Sequence, residues 1–244
     1  MSPEKGRSAL DAVELMNAGA NFMREHVKED ARIHYVITDG GGAPNVVPAK
    51  ATVWYFVRAD DHKDVEYNFR WLQDIAKGAA LMTRTEWSVQ VDTDCHEIIP
   101  NRPLAQLVYE NMVKVGAPQF TEEEKVFARR LQEPLTAQFG TTFDEAIDAR
   151  IHRVPNKLEP SKGSTDVGDV SWQVPTGGLR TTCFAAGSPG HSWQNVAAIG
   201  STIGEKGVVY AAKVLAVTAV ELLENPDLVK AARADWEQQM KGRK

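Results

Sequence analysis

Six histidines, at positions 26, 34, 62, 96, 152 and 191, and two cysteines, Cys95 and Cys183, are the obvious candidates for metal binding or nucleophilic chemistry in this 244-residue chain. No two of the histidines stand at a metal-ligand spacing, and two cysteines are too few for a Cys-rich zinc site or a disulfide scaffold. The phosphate-binding G-x-x-x-x-G-K-[ST] and G-x-G-x-x-G patterns, the zinc motif H-E-x-x-H and the nucleophile motif G-x-S-x-G are all absent. His26 and His62 fall in polar helical stretches and are expected to be solvated, and His34 sits within a β-rich run. His191 is more suggestive. It lies in Gly187-Ser188-Pro189-Gly190-His191-Ser192, directly after an apolar strand-like run, Thr181 to Ala186. Ligand-binding groups gather just beyond the carboxyl ends of strands in α/β sheets. Gly40-Gly41-Gly42 separates two strand-like runs instead of opening a helix, which argues against a phosphate cradle.

The elements around these residues follow from periodicity. Leu10, Val13, Met16, Ala20, Met23 and Val27 recur at spacings of three and four, so a helix is expected from Ser8, its N-cap, to about Val27. Ala31 to Thr38 and Ala51 to Val57 are rich in β-branched and aromatic residues and are expected to be strands, the second central in its sheet. A long amphipathic helix from His62 to Met82 and a third strand from Thr85 to Val91 follow, the latter alternating Trp87, Val89 and Val91 with polar residues. This α-β-β-α-β order fits a βαββαβ sandwich lacking its first strand. After Pro100 come helices over Leu104 to Val115 and from Thr121, whose hydroxyl and following Glu122-Glu123-Glu124 form an N-terminal signature. Residues 136 to 163 show little periodicity. Gly207 to Leu223 is the most apolar helix, expected against a sheet, and a polar helical tail runs from Asp227 to Lys244.

Composition excludes several classes. With 28 Lys and Arg against 33 Asp and Glu, the net charge of -5 leaves no basic footprint for nucleic acid. No run approaches the length of a membrane span, and the charged N-terminus has no apolar signal-peptide core. A soluble, cytoplasmic protein is expected.

Three segments carry a resemblance: His34-Tyr35-Val36-Ile37-Thr38-Asp39-Gly40-Gly41 with Pro44-Asn45-Val46-Val47-Pro48; Ser164-Thr165-Asp166-Val167-Gly168-Asp169-Val170-Ser171-Trp172; and Cys183-Phe184-Ala185 with Gly190-His191-Ser192-Trp193-Gln194. Together they resemble the binuclear metal amidohydrolases and carboxypeptidases, specifically the branch acting on p-aminobenzoyl-glutamate. The resemblance implies a lid and dimerisation domain over residues 1–97 and the C-terminal part of an α/β catalytic domain over 98–244. It implies two zinc or manganese ions, with a water between them activated as hydroxide. His191 matches the last metal ligand, and His34 matches a lid histidine that stabilises the oxyanion, reaching the partner subunit's site. Asn45 and Arg58, thirteen positions apart, match the residues that hold the substrate's carboxylate or carbonyl oxygens. Without the family, Arg58 reads equally well as a strand-end surface arginine. Ser164, Thr165 and Asp166 match a pocket floor, and read on their own as a structural turn. The family's other metal ligands and its general-base glutamate have no counterpart here, so the chain is expected to be inactive alone. The substrate implied is a small amide of an amino acid such as glutamate, and the partner a second copy or a related subunit. The alternative is a catalytically inactive dimerisation or partner-binding module derived from such an enzyme.

Overall fold

The computed structural model describes residues 2–157 and 163–243, and the chain divides into two compact units, Met1–Ile98 with Glu159–Asp169, and Ile99–Leu158 with Val170–Lys244. The architecture is mixed α and β, mostly helical, with one small antiparallel sheet among the described residues.

In the first unit α1 (Ala9–Met23) is opened by Ser8, whose hydroxyl accepts from the Asp11 N–H, and its last turn tightens into a 3-10 turn at Arg24–His26. Strand β1 (Arg32–Asp39) and β2 (Thr52–Arg58) pair antiparallel, with Ile33 opposite Val57, Tyr35 opposite Tyr55 and Ile37 opposite Val53 on one face. That face meets the helices: the Tyr55 hydroxyl donates to Asn17 Oδ1 on α1. Helix α2 (His62–Thr83), capped by Asp61, lays Leu72, Ala76, Ala79 and Ala80 into the core beside Val13, Ala20 and Met23 of α1.

In the second unit α3 (Arg102–Val115), α4 (Glu122–Phe139), α6 (Trp193–Ile199), α7 (Thr202–Glu224) and α8 (Pro226–Met240) surround three apolar clusters. The short α5 (Val167–Ser171) crosses from the first unit into the second. Ala128 and Leu131 of α4, Ala198 of α6 and Ile203 of α7 share one cluster with Ala146, Ile147 and Ala185. Glu124 completes the capping box of α4 and also binds α7: its carboxylate accepts from the Thr121 N–H at 2.7 Å, the Thr202 hydroxyl at 2.6 Å and the Lys206 ammonium at 2.7 Å. Burial alone would raise the Glu124 carboxyl, but these three donors outweigh it and hold it below the usual value.

Four expectations are corrected. Thr85 to Val91 forms no strand; Trp87, Val89 and Val91 are exposed, and no described strand runs alongside to complete a ladder. Strand β2 is therefore not central, since among the described residues the sheet has only two strands. Thr181 to Ala186 is likewise not a strand. Its polar groups are taken by irregular partners instead: Ala186 N–H donates to Ala146 O at 2.9 Å and the Thr182 hydroxyl to Asp148 O. Finally, α7 packs on α3, α6 and α8, not on a sheet.

Candidate functional site

Strand register decides which residues of β1 and β2 can act together. Side chains directly opposite share a face, and alternate residues along each strand share it too. His34 opposes Phe56, Val36 opposes Trp54 and Arg32 opposes Arg58. His34 and Arg58 thus lie on one face, turned away from the face bearing Tyr55 and its bond to α1. Asn45 is exposed in the turn between the strands, where the Val46 N–H donates to Ala43 O. That connection is set by Gly41, whose N–H donates to Asp39 Oδ1 at 3.1 Å.

Ser164, Thr165 and Asp166 are exposed in the segment leading into α5. The Thr165 hydroxyl accepts from the Val167 N–H at 3.3 Å, and the Asp169 N–H donates to Asp166 O at 3.1 Å. These bonds are those of a helix-opening turn. What fixes the segment in the first unit is a cluster that no sequence motif isolates. His96 donates to Asp169 Oδ1 from Nδ1 at 2.7 Å and from its backbone N–H at 3.2 Å. The His96 bond holds the Asp169 carboxyl below its usual value. The His62 ring stacks on His96 at 4.1 Å and bonds Asp94 Oδ1 at 2.9 Å, with its side chain only 12% exposed. The expectation that His62 is solvated is thereby corrected. A Cβ on Gly168 would stand 1.8 Å from His96 O, so only glycine permits this approach. The available signal was the density of acid and imidazole in Asp92-Thr93-Asp94-Cys95-His96-Glu97, but nothing in its spacing pointed to residues 62 and 169.

His191 belongs to the second unit. Its loop is braced by Gln132, a buried α4 residue whose amide donates at 2.9 Å to both Glu145 O and Ala186 O. Gly187, at φ 73°, leaves no room for a side chain, because Phe143 would lie 2.2 Å from an added Cβ. His191 is exposed and adopts φ 58°, a left-handed conformation that a non-glycine residue holds only where its surroundings impose it. The Ser192 hydroxyl caps α6 immediately afterwards, accepting from the Asn195 N–H. Ser188 Oγ in this loop and Asn195 Oδ1 in the first turn of α6 are buried without hydrogen-bond partners.

The fit to a metal is partial. One exposed imidazole on a left-handed backbone and two buried oxygens without hydrogen-bond partners suit the rim of a polar site. Among the described residues, however, no three His, Cys, Asp or Glu side chains converge as metal ligands. The usual zinc site needs three or four, so these residues do not complete a metal centre.

No protein-family model matches the chain. Curated proteins do: Xaa-Arg dipeptidases of Mus musculus and Homo sapiens are each 27% identical over 96% of this chain, covering 47% and 46% of their own lengths. With a third, stronger match, these show the chain to be similar to dipeptidases and an amide hydrolase, in keeping with the resemblance its motifs carry. That third protein is a p-aminobenzoyl-glutamate hydrolase subunit of Escherichia coli (strain K12), 39% identical over 97% of this chain and 54% of its own length. The chain therefore spans about half the length of the curated relatives it matches.

Proposed function

We propose that this chain supplies the lid and the C-terminal catalytic part of a metal-dependent amidohydrolase that cleaves the amide bond to an amino acid such as glutamate. The observation that carries the reading is the shared face of His34 and Arg58 across the β1–β2 hairpin, in a chain 39% identical to a p-aminobenzoyl-glutamate hydrolase subunit. An imidazole N–H from His34 stabilises the charge that develops on the scissile carbonyl oxygen. The Arg58 guanidinium, a planar fork of donors, grips the amino acid's carboxylate, and Asn45 adds an amide donor from the adjoining turn. Ser164, Thr165 and Asp166 line the pocket floor. His191 would supply one ligand to a zinc or manganese ion, and such an ion would supply Lewis acidity towards a bound water. The remaining ligands and the general base come from outside the described residues. The lid also carries self-association, with a second copy or a related subunit as partner; the relative's designation as a subunit supports an assembly of more than one chain.

The test is metal analysis and hydrolysis of p-aminobenzoyl-glutamate and of Xaa-Arg dipeptides by the purified chain, with His191→Ala alongside. The expected result is sub-stoichiometric metal, weaker still in His191→Ala, and turnover at background. Tight stoichiometric metal with turnover lost in the variant would show that the chain holds a complete site.

A further inference from the structure

The chain after α2 runs the length of that helix without joining a sheet. Thr85 sits at the end of α2, its N–H donating to Ala80 O at 3.0 Å and its hydroxyl meeting that of Thr83. Asp94 and His96 sit at the other end, against the ring of His62, the first residue of the helix. The helix is about 33 Å long. About nine residue steps lead from Thr85 to Asp94, and they reach about 30 Å only as an extended chain. Alternation then puts Trp87, Val89 and Val91 on one side and Glu86, Ser88 and Gln90 on the other. The three apolar residues remain 41%, 50% and 56% exposed. Among the described residues, no backbone hydrogen bond reaches residues 86–93.

The helical layer is wider than the sheet beside it. α1 and α2 pack along one another, so closely at Gly19 that a Cβ there would stand 2.6 Å from the Ile75 side chain. Neighbouring helix axes lie about 8–10 Å apart and strands about 4.8 Å apart, so two helices side by side cover about four strands. The β1–β2 hairpin supplies two. The order β2, α2, 86–91 has the form of a β-α-β crossover, the last segment running back along α2 in the direction of β2. That segment supplies a third. Directly beside β2 it would share a parallel ladder with it, and the two share none. The remaining position is the one between them.

We propose that residues 86–91 and the outer edge of β2 form a two-sided dock for one further β-strand. The strand is antiparallel to both, because the outer face of this sheet, with Val36, Trp54 and Phe56, is exposed, as antiparallel sheets allow and parallel ones do not. Its residues alternate, with apolar side chains turned to α1 and α2 and main-chain groups bonded on both edges. This is recognition by strand addition, with two ladders in place of one. The occupant comes from the part of the relatives' length that this chain does not span, about half of each. The proposal is independent of the amidohydrolase reading, and it leaves the outer edge of β1 for self-association.

Labelled peptides of about twelve residues, tiling the part of the Escherichia coli subunit outside the matched region, test this against the purified chain. Binding is read by fluorescence polarisation and by amide hydrogen exchange. One run of overlapping peptides should bind and slow exchange at least about tenfold in both 53–57 and 86–91. Alternate residues of an antiparallel strand turn their N–H and C=O groups to opposite neighbours. N-methylation of the even positions, and separately of the odd ones, should therefore each weaken binding about tenfold or more. A strand added to a single edge would tolerate one of the two sets. The absence of any binding peptide, protection confined to one edge, or tolerance of either N-methylated set would overturn the proposal. So would protection of both edges on concentrating the chain without peptide, because the occupant would then be a second copy.

Discussion

Replacing Glu124 with glutamine should loosen the helical frame behind the His191 loop by a calculable amount. The carboxylate is 9% exposed and accepts from three donors on two helices, one of them the Lys206 ammonium. Hydrogen bonds to charged groups contribute about 1.5–3 kcal/mol each, but Lys206 and Thr202 can recover part of that by turning to water. A glutamine amide keeps one acceptor and opposes its NH2 to a donor. The net loss is about 2–3 kcal/mol, which lowers the melting midpoint by roughly 4–12 °C for a domain of this size. The pH dependence has a definite sign. Glu124 has a depressed folded value, so its contribution is complete above the unfolded carboxyl value of about 4.3 and is lost as pH falls through the folded one. Urea melts of wild type and Glu124→Gln at pH 7 and at decreasing pH measure both quantities. A difference under about 0.5 kcal/mol at pH 7, within the ordinary range for surface substitutions, would refute the reasoning. A difference that stays constant down to pH 3 would do the same.

Gly168→Ala, with its Cβ driven onto His96 O, should release residues 163–169 from the first unit, read as faster amide exchange there while α1 and α2 stay protected. Gln132→Ala removes the donor shared by Glu145 O and Ala186 O and should cost about 1–3 kcal/mol by leaving these part-buried carbonyls without it, measured by denaturant melts. Because each described strand of the β1–β2 sheet pairs on one side only, light scattering at tens of micromolar should find a dimer or larger species; a strict monomer would contradict self-association through the lid.

The helices were the legible part of the sequence. α1, α2, α3 and the start of α4 follow from three- and four-residue spacing and from Ser8, Asp61 and Thr121, whose side chains cap as their types require. Thr85 to Val91 shows the limit of period-two reading: alternation prepares a strand, but a ladder needs a neighbour, which composition cannot supply. Thr181 to Ala186 failed for a related reason: the Ala186 backbone is claimed by Gln132 and Ala146, and the Thr182 hydroxyl by Asp148 O. His191 stood out through its Gly/Pro loop, although the left-handed backbone that strains it was visible only in three dimensions. The His62–His96 stack joins positions 34 residues apart with Asp169, 73 residues further on, and no local pattern encodes such a meeting.

The central claim is that His34 and His191 do chemistry in a metal-dependent amidohydrolase. The most direct measurement exchanges the aligned region of the Escherichia coli p-aminobenzoyl-glutamate hydrolase subunit for this chain and follows release of p-aminobenzoate. The account predicts turnover that falls at least a hundredfold in His34→Ala, and metal content that falls with turnover in His191→Ala. A folded chimera whose turnover and metal content are indifferent to both substitutions would contradict it.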